Sequence, residues 1–286
     1  MRDEPTEDST SFRQPKLAYR DGRFMESPDA RTLRIGAEYL GPQARLKKAG
    51  VQNTIVFFGS ARILPRDVAE NRLTDLEQAT PAAADRDLEA ARMAVKMSRY
   101  YEEARQLAHL ITEWSLSLKR GNHFLVVCSG GGPGIMEAAN RGASEAGGLS
   151  IGLNIKLPLE QQSNPYVSPN LNFLFKYFFM RKLWFAHPAR ALVVFPGGYG
   201  TLDEMWEFFT LLQTHKLGHQ AFILVYGSDY WKRLINFQLM VESGTISADD
   251  LRFLHFVDSP EEALGIIKRK LRRNRAMRAA LRHSVP

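Results

Sequence analysis

Ala189-Arg190-Ala191-Leu192-Val193-Val194-Phe195-Pro196-Gly197-Gly198-Tyr199-Gly200-Thr201-Leu202-Asp203-Glu204 is the stretch whose reading decides the fold. Its first half is almost continuously apolar, the pattern of a strand buried on both faces. Three glycines then let the backbone turn with little side-chain bulk. The spacing predicts a helix over 201–214 that opens at Thr201. The start of such a helix offers free N–H groups and a positive dipole end to an anion. Thr201-x-x-Glu204 also spells a capping box. Glu204 therefore has two readings, a helix cap or a carboxylate beside a phosphate seat. Thr201 is likewise a cap or a phosphate ligand.

Working outward, the same strand–turn–helix order recurs. Asn53-Thr54-Ile55-Val56-Phe57-Phe58 reads as a first strand closed by Gly59-Ser60. Phe124-Leu125-Val126-Val127-Cys128 reads as a second, closed by Ser129-Gly130-Gly131-Gly132-Pro133-Gly134. Further strands are expected at 149–155, 173–177, 190–195, 222–226 and 253–257. Helical spacing is expected over 31–50, 87–118, 135–143, 179–187, 201–214, 229–242 and from Pro260 onward. Residues 1–30 are polar and aperiodic and read as mobile. Residues 63–85 are charged, are interrupted by Pro65 and Pro81, and read as an inserted excursion.

Apolar strands alternating with helices predict an α/β fold: a doubly wound parallel sheet with helices on both faces, in a single domain. Ligands of such sheets bind beyond the carboxyl ends of the strands. The turns at Gly59-Ser60, at 129–134 and at 196–201 all lie at carboxyl ends and should converge on one crevice. The expected division is an extension over 1–50, the sheet domain over 51–260 and a basic helix over 261–286.

Composition excludes several classes. Of the 286 residues, 44% are hydrophobic and 24% charged, as in ordinary globular chains. No apolar run approaches the roughly 18 residues of a membrane span. The first residues, Met1-Arg2-Asp3-Glu4-Pro5-Thr6-Glu7-Asp8, lack the apolar core of a secretory signal. A lone cysteine, Cys128, excludes an internal disulfide. The expected location is the cytoplasm. The net charge of +7 is concentrated at one end: Lys268, Arg269, Lys270, Arg272, Arg273, Arg275, Arg278 and Arg282 are eight cations, and removing them leaves −1. That helix reads as a solvated end or as a surface for anionic partners. Nucleic acid is not an expected partner.

The glycine turns match neither common nucleotide signature. There is no Gly-x-x-x-x-Gly-Lys-Ser/Thr, and 130–134 is not a Gly-x-Gly-x-x-Gly opening the first βα unit. That turn is either a tight strand-to-helix link, with Pro133 near the first helical turn, or a phosphate cradle. Arg181 lies in the aromatic-rich Tyr177-Phe178-Phe179-Met180-Arg181-Lys182-Leu183-Trp184-Phe185. It is either solvated or buried with a partner. Cys128 reads as a small buried residue rather than a nucleophile. The seven histidines show no metal-ligand spacing, so no metal site is expected.

Pro196-Gly197-Gly198-Tyr199-Gly200-Thr201-Leu202-Asp203-Glu204 resembles the Pro-Gly-Gly-x-Gly-Thr-x-x-Glu signature of the LONELY GUY proteins. Met180-Arg181-Lys182 resembles their upstream Arg-Lys step, and Gly59-Ser60 and 130–136 also fit. The resemblance covers about residues 51 to 245. It implies a Rossmann-like fold, a homodimer or larger assembly, no cofactor, and hydrolysis of the N-glycosidic bond of a nucleoside 5′-monophosphate such as AMP or an N6-modified AMP. It implies Arg181 and Glu204 as the catalytic pair, and Gly197, Gly198, Gly200 and Thr201 as the phosphate seat. Gly59, Ser60, Gly131, Gly132, Met180 and Lys182 would complete the substrate site. Members are often labelled lysine decarboxylases, yet the chain has no convincing pyridoxal-phosphate lysine motif. It departs from compact members in the extension over 1–50, the insertion after the first strand, the loop over 157–172 where base recognition could occur, and the basic last helix. Those extra parts also support a rival expectation, a nucleotide-binding regulatory or interaction protein without hydrolysis.

Overall fold

Strand-forming residues and glycine turns assemble here into one parallel sheet. The computed structural model describes residues 16–79, 85–118, 124–157, 162–217 and 221–283, with side chains up to residue 272. The expected mobility of 1–30 falls partly outside the described residues. So do Pro81, part of the loop 157–172, and the side chains of Arg273, Arg275, Arg278 and Arg282.

The chain separates into two compact units, one up to Gly41 and one from Pro42 onward. In the first, 3-10 turns and a short helix α1 (Gly22–Glu26) stand where no regular element was expected. Asp21 caps α1 by accepting bonds from the Arg23 and Phe24 N–H groups. Helix α2 spans Arg31–Lys48.

The second unit holds seven strands in the order β4-β3-β2-β1-β5-β6-β7, all parallel. They are β1 (Thr54–Phe58), β2 (Val126–Ser129), β3 (Ser150–Ile155), β4 (Asn172–Phe175), β5 (Ala189–Val194), β6 (Phe222–Tyr226) and β7 (Leu254–Val257). Between them lie α3 (Arg66–Gln78), α4 (Asp85–Ser117), α5 (Ile135–Glu145), α6 (Phe178–Ala186), α7 (Tyr199–Gln213), α8 (Ser228–Leu234) and α9 (Phe237–Glu242), with α10 (Pro260–His283) last. This is the expected doubly wound α/β fold. No helix among the described residues is long and apolar enough to cross a membrane.

Side chains alternate between the two faces of the sheet. Ile55, Phe57, Val127, Val193 and Leu224 form a core with Tyr101, Leu107 and Ile111 of α4, Ile135 and Ala139 of α5, and Ile267 of α10. On the other face Phe58 meets Phe185 of α6 edge-on, with ring centroids 4.7 Å apart. Helices α4 and α5 pack unusually close at Gly142. A Cβ there would stand 1.9 Å from the Arg105 carbonyl oxygen.

Three expectations need correction. The excursion over 63–85 contains α3, an exposed helix that buries only Ala69 and so shows little apolar stripe. The helix expected over 229–242 is two, because the Asn236 side chain accepts a bond from the Leu239 N–H and starts α9 anew. Helix α7 begins at Tyr199, not Thr201; its cap is Gly198, with no side-chain cap bond.

Candidate active site

The chain winds from β1 to β4 in one direction, then returns to place β5 on the other side of β1. That reversal opens a crevice at the carboxyl ends of β1 and β5. A cavity of about 800 Å³ lies there. Its walls are the β1 turn from Gly59 to Ile63, the β5 turn from Pro196 to Thr201, and Met136, Arg181, Asp203 and Glu204. Ala90, Met93, Ala94 and Met97 of α4, with Phe178 and Tyr230, make a largely apolar side.

The three glycine turns are tied to one another, but only those at Gly59-Ser60 and 196–201 line the cavity; no residue of 129–134 does. The Ser60 N–H donates to the Pro196 carbonyl at 3.0 Å, and the Ile135 N–H donates to the Ser60 carbonyl at 3.2 Å. Gly134 makes the second contact possible. Its φ is +68°, and a Cβ there would stand 2.4 Å from the Ser60 carbonyl oxygen. Tyr230 holds the third turn by donating its hydroxyl to the Gly197 carbonyl at 2.9 Å. Backbone N–H groups at the start of α7 have no intrahelical acceptor.

Glu204 is 4% exposed, yet it lines the cavity. The capping reading fails, because Glu204 stands inside α7, well past the cap at Gly198. One oxygen, Oε1, is 3.5 Å from Arg181 Nη1. The other, Oε2, is buried with no hydrogen-bond partner among the described residues. Burial pushes the carboxyl up from its ordinary 4.5 to about 7; Arg181 and Lys182 pull the other way without prevailing. A contact of 3.5 Å is long for a charge-assisted bond, so the guanidinium offsets little of the lost hydration.

Arg181 is buried, which decides against the solvated reading; its side chain is 12% exposed. Nε donates to the Leu153 carbonyl at 2.7 Å, and the guanidinium carbon sits 4.8 Å from the centre of the Phe185 ring. Burial pulls its pKa down, but arginine remains protonated at any physiological pH. Gly130 leaves the space for this group: a Cβ there would stand 2.7 Å from Nη2 and 2.6 Å from the Met136 sulfur.

Of the other expected site residues, Gly59, Ser60, Gly197, Gly198, Gly200 and Thr201 line the cavity. Gly131, Gly132, Met180 and Lys182 do not. Gly131 donates its N–H to Ser129 Oγ and accepts from the Asn164 N–H. The Gly132 carbonyl accepts from Asn164 Nδ2 at 3.0 Å. These two glycines shape the turn from behind the wall. Met180 is buried. Lys182 pairs with Asp203 at 2.9 Å and Glu207 at 3.1 Å, tying α6 to α7. The sequence reading missed Arg62, Met93, Phe178 and Tyr230 on the wall, and took Ala94 and Met97 only as a helical stripe. Tyr230 follows Gly227 at the end of β6, a fourth carboxyl-end turn that could have drawn attention. Among the described residues no group of three or more His, Cys, Asp or Glu side chains is placed to hold a metal ion.

The fold and site define a doubly wound α/β protein with a buried carboxylate–guanidinium pair in a carboxyl-end cavity. Residues 136–267 match the family model described as "Possible lysine decarboxylase", the domain of the LONELY GUY proteins. Arg181 and Glu204 both lie within it. A comparison with curated proteins gives no match. Among solved structures, TM1055 is similar at 20% identity over 76% of this chain and 99% of its own, with a TM-score of 0.46. The Moco carrier protein from Chlamydomonas reinhardtii is similar at 19% identity over 78% of this chain and 99% of its own, with a TM-score of 0.44. Likenesses this weak say nothing about function.

Proposed function

We propose that the cavity binds a nucleoside 5′-monophosphate, such as AMP or an N6-modified AMP, and that the protein hydrolyses its N-glycosidic bond to free base and ribose 5-phosphate. The observation that carries this reading is the Glu204 carboxylate, buried on the cavity wall with one oxygen lacking a partner. A carboxylate left in that state has a use for a ligand that donates hydrogen bonds or develops positive charge.

Cleavage at the anomeric carbon builds oxocarbenium-like charge on the ribose. Ionised Glu204 can stabilise that charge, accept bonds from ribose hydroxyls, or orient water. Arg181 faces Glu204 Oε1 at 3.5 Å, while Oε2 is left for the ligand. The phosphate would lie at the start of α7, against the turn of Gly197, Gly198, Gly200 and Thr201. The apolar side from α4 and Phe178 suits the flat face of a base.

The test is chromatography of the reaction mixture with purine and pyrimidine monophosphates. Free base from AMP is expected, and its loss in Glu204→Gln while AMP still binds. No base from any monophosphate would refute hydrolysis; unchanged turnover in Glu204→Gln would remove Glu204 from the reaction.

A further inference from the structure

We infer that Arg62 is the cation that holds the 5′-phosphate, and that it sets the preference for a nucleotide over its free nucleoside. This rests on the nucleotide reading of the cavity given above, but it concerns a residue outside the matched stretch 136–267.

Four formally charged side chains reach the cavity wall: Arg62, Arg181, Asp203 and Glu204. Three of them already face an opposite charge. Asp203 is paired with Lys182 at 2.9 Å. Arg181 spends Nε on the Leu153 carbonyl and faces Glu204. Arg62 differs. Its backbone N–H donates to Ser60 Oγ at 3.1 Å, but its exposed guanidinium makes no hydrogen bond or ion pair with any described residue.

Position agrees with charge. Strands β1 and β5 are neighbours, with Phe58 opposite Val194, so their turns leave the sheet side by side. The Ser60–Pro196 bond ties the two turns together. The Arg62 turn is also held from below, since a Cβ at Gly134 would stand 2.7 Å from the Ala61 carbonyl carbon. On the opposite side, a Cβ added at Gly198 or Gly200 would meet nothing within 4 Å, which leaves open space beside the start of α7.

A phosphate monoester carries roughly −1.5 to −2 near neutral pH. A helix start supplies only about +0.5. Ionised Glu204 adds a negative charge that Arg181 balances and does not exceed. A second cation is needed, and the planar fork of an arginine matches phosphate oxygens two at a time. Arg62 is the uncommitted cation on the wall among the described residues.

The experiment is calorimetric titration of the full chain with AMP and with adenosine, in a Glu204→Gln background that leaves the ligand intact. Arg62→Ala is expected to weaken AMP binding by about 10- to 100-fold, the usual loss for a charge-assisted bond, and to leave adenosine binding unchanged. Arg62→Lys should fall between, because it keeps the charge and loses the fork. The salt dependence of AMP binding should flatten in Arg62→Ala. Equal AMP affinity with and without Arg62, or an equal loss for adenosine, would overturn the inference. Failure of AMP to bind the parent protein would overturn the nucleotide reading itself, and the Arg62 assignment with it.

Discussion

Replacing Glu204 by glutamine should make the protein more stable, and only above a certain pH. In the folded protein, burial holds the Glu204 carboxyl at about 7, against an ordinary 4.5. The folded state therefore binds this proton more tightly than the unfolded chain does. The stability that follows is fully present below about pH 4.5 and is lost as pH rises through about 7. The gap corresponds to roughly 3 kcal/mol. Glutamine has the shape and neutrality of the protonated acid, so the substitution is nearly silent at about pH 4.5. Above about pH 7.5 it should stabilise by up to roughly 3 kcal/mol, or raise the melting temperature by roughly 6–12 °C in a domain of this size. Urea unfolding of both proteins at about pH 5 and pH 8 reads the difference as a shift in midpoint at constant slope. A stability difference that does not change with pH would refute the reasoning. So would a wild type more stable than the variant at the higher pH. The first result would mean that the Arg181 contact, long as it is, balances burial; the second, that it outweighs burial and keeps Glu204 ionised.

Other expected outcomes follow from the same geometry. In wild type, kcat/KM for AMP should rise with pH through about 7 as Glu204 ionises; a flat pH–rate profile between about pH 5 and pH 9 would contradict this. Gly130→Ala should push aside the Arg181 guanidinium and the Met136 sulfur, both ends of flexible side chains. It should fold with little change in melting temperature and lose about 100-fold in kcat, measured by base release. Gly142→Ala meets the backbone of α4 rather than a movable side chain, so it should cost about 3 kcal/mol in urea unfolding and have no separate effect on chemistry. Lys182→Ala removes the partner of Asp203 and Glu207 at the α6–α7 contact and should lower stability by about 1 kcal/mol, leaving adenosine binding intact.

Much of this molecule was legible in the sequence, and the misreadings share a cause. Strands buried on both faces announce themselves by runs such as Ile55-Val56-Phe57-Phe58 and Leu192-Val193-Val194, where no polar residue has to face water. Glycine turns after those strands mark the carboxyl ends, so the position of the crevice is legible in the sequence. Thr201-x-x-Glu204 misled because a capping box is a local pattern. What removes Glu204 from that role is the start of α7 two residues earlier and a guanidinium brought from α6. Arg181 carried no sign of its burial, since Phe178 and Phe179 beside it are half exposed while Phe185 packs inside. The break between α8 and α9 was written in Asn236, a good cap, but the surrounding apolar residues hid it. The lining role of Met93 and Met97 was invisible because the stripe that covers the core through Tyr101, Ala104 and Leu107 continues, one turn earlier, over the cavity.

The central place of β1 has a consequence for how the protein is made. β1 is bordered by β2 on one side and β5 on the other, but synthesis does not reach β5 until residue 189. A nascent chain complete through β4 has four strands ready to pair, with Ile55, Val56, Phe57 and Phe58 along an open edge. Such an edge invites pairing with another chain. The two turns that face each other across the crevice also come from opposite sides of that delay. A stalled or truncated product therefore has only one bank of the crevice and an adhesive edge. Premature release is a greater hazard for this topology than for a sheet whose strands pair in the order they are synthesised.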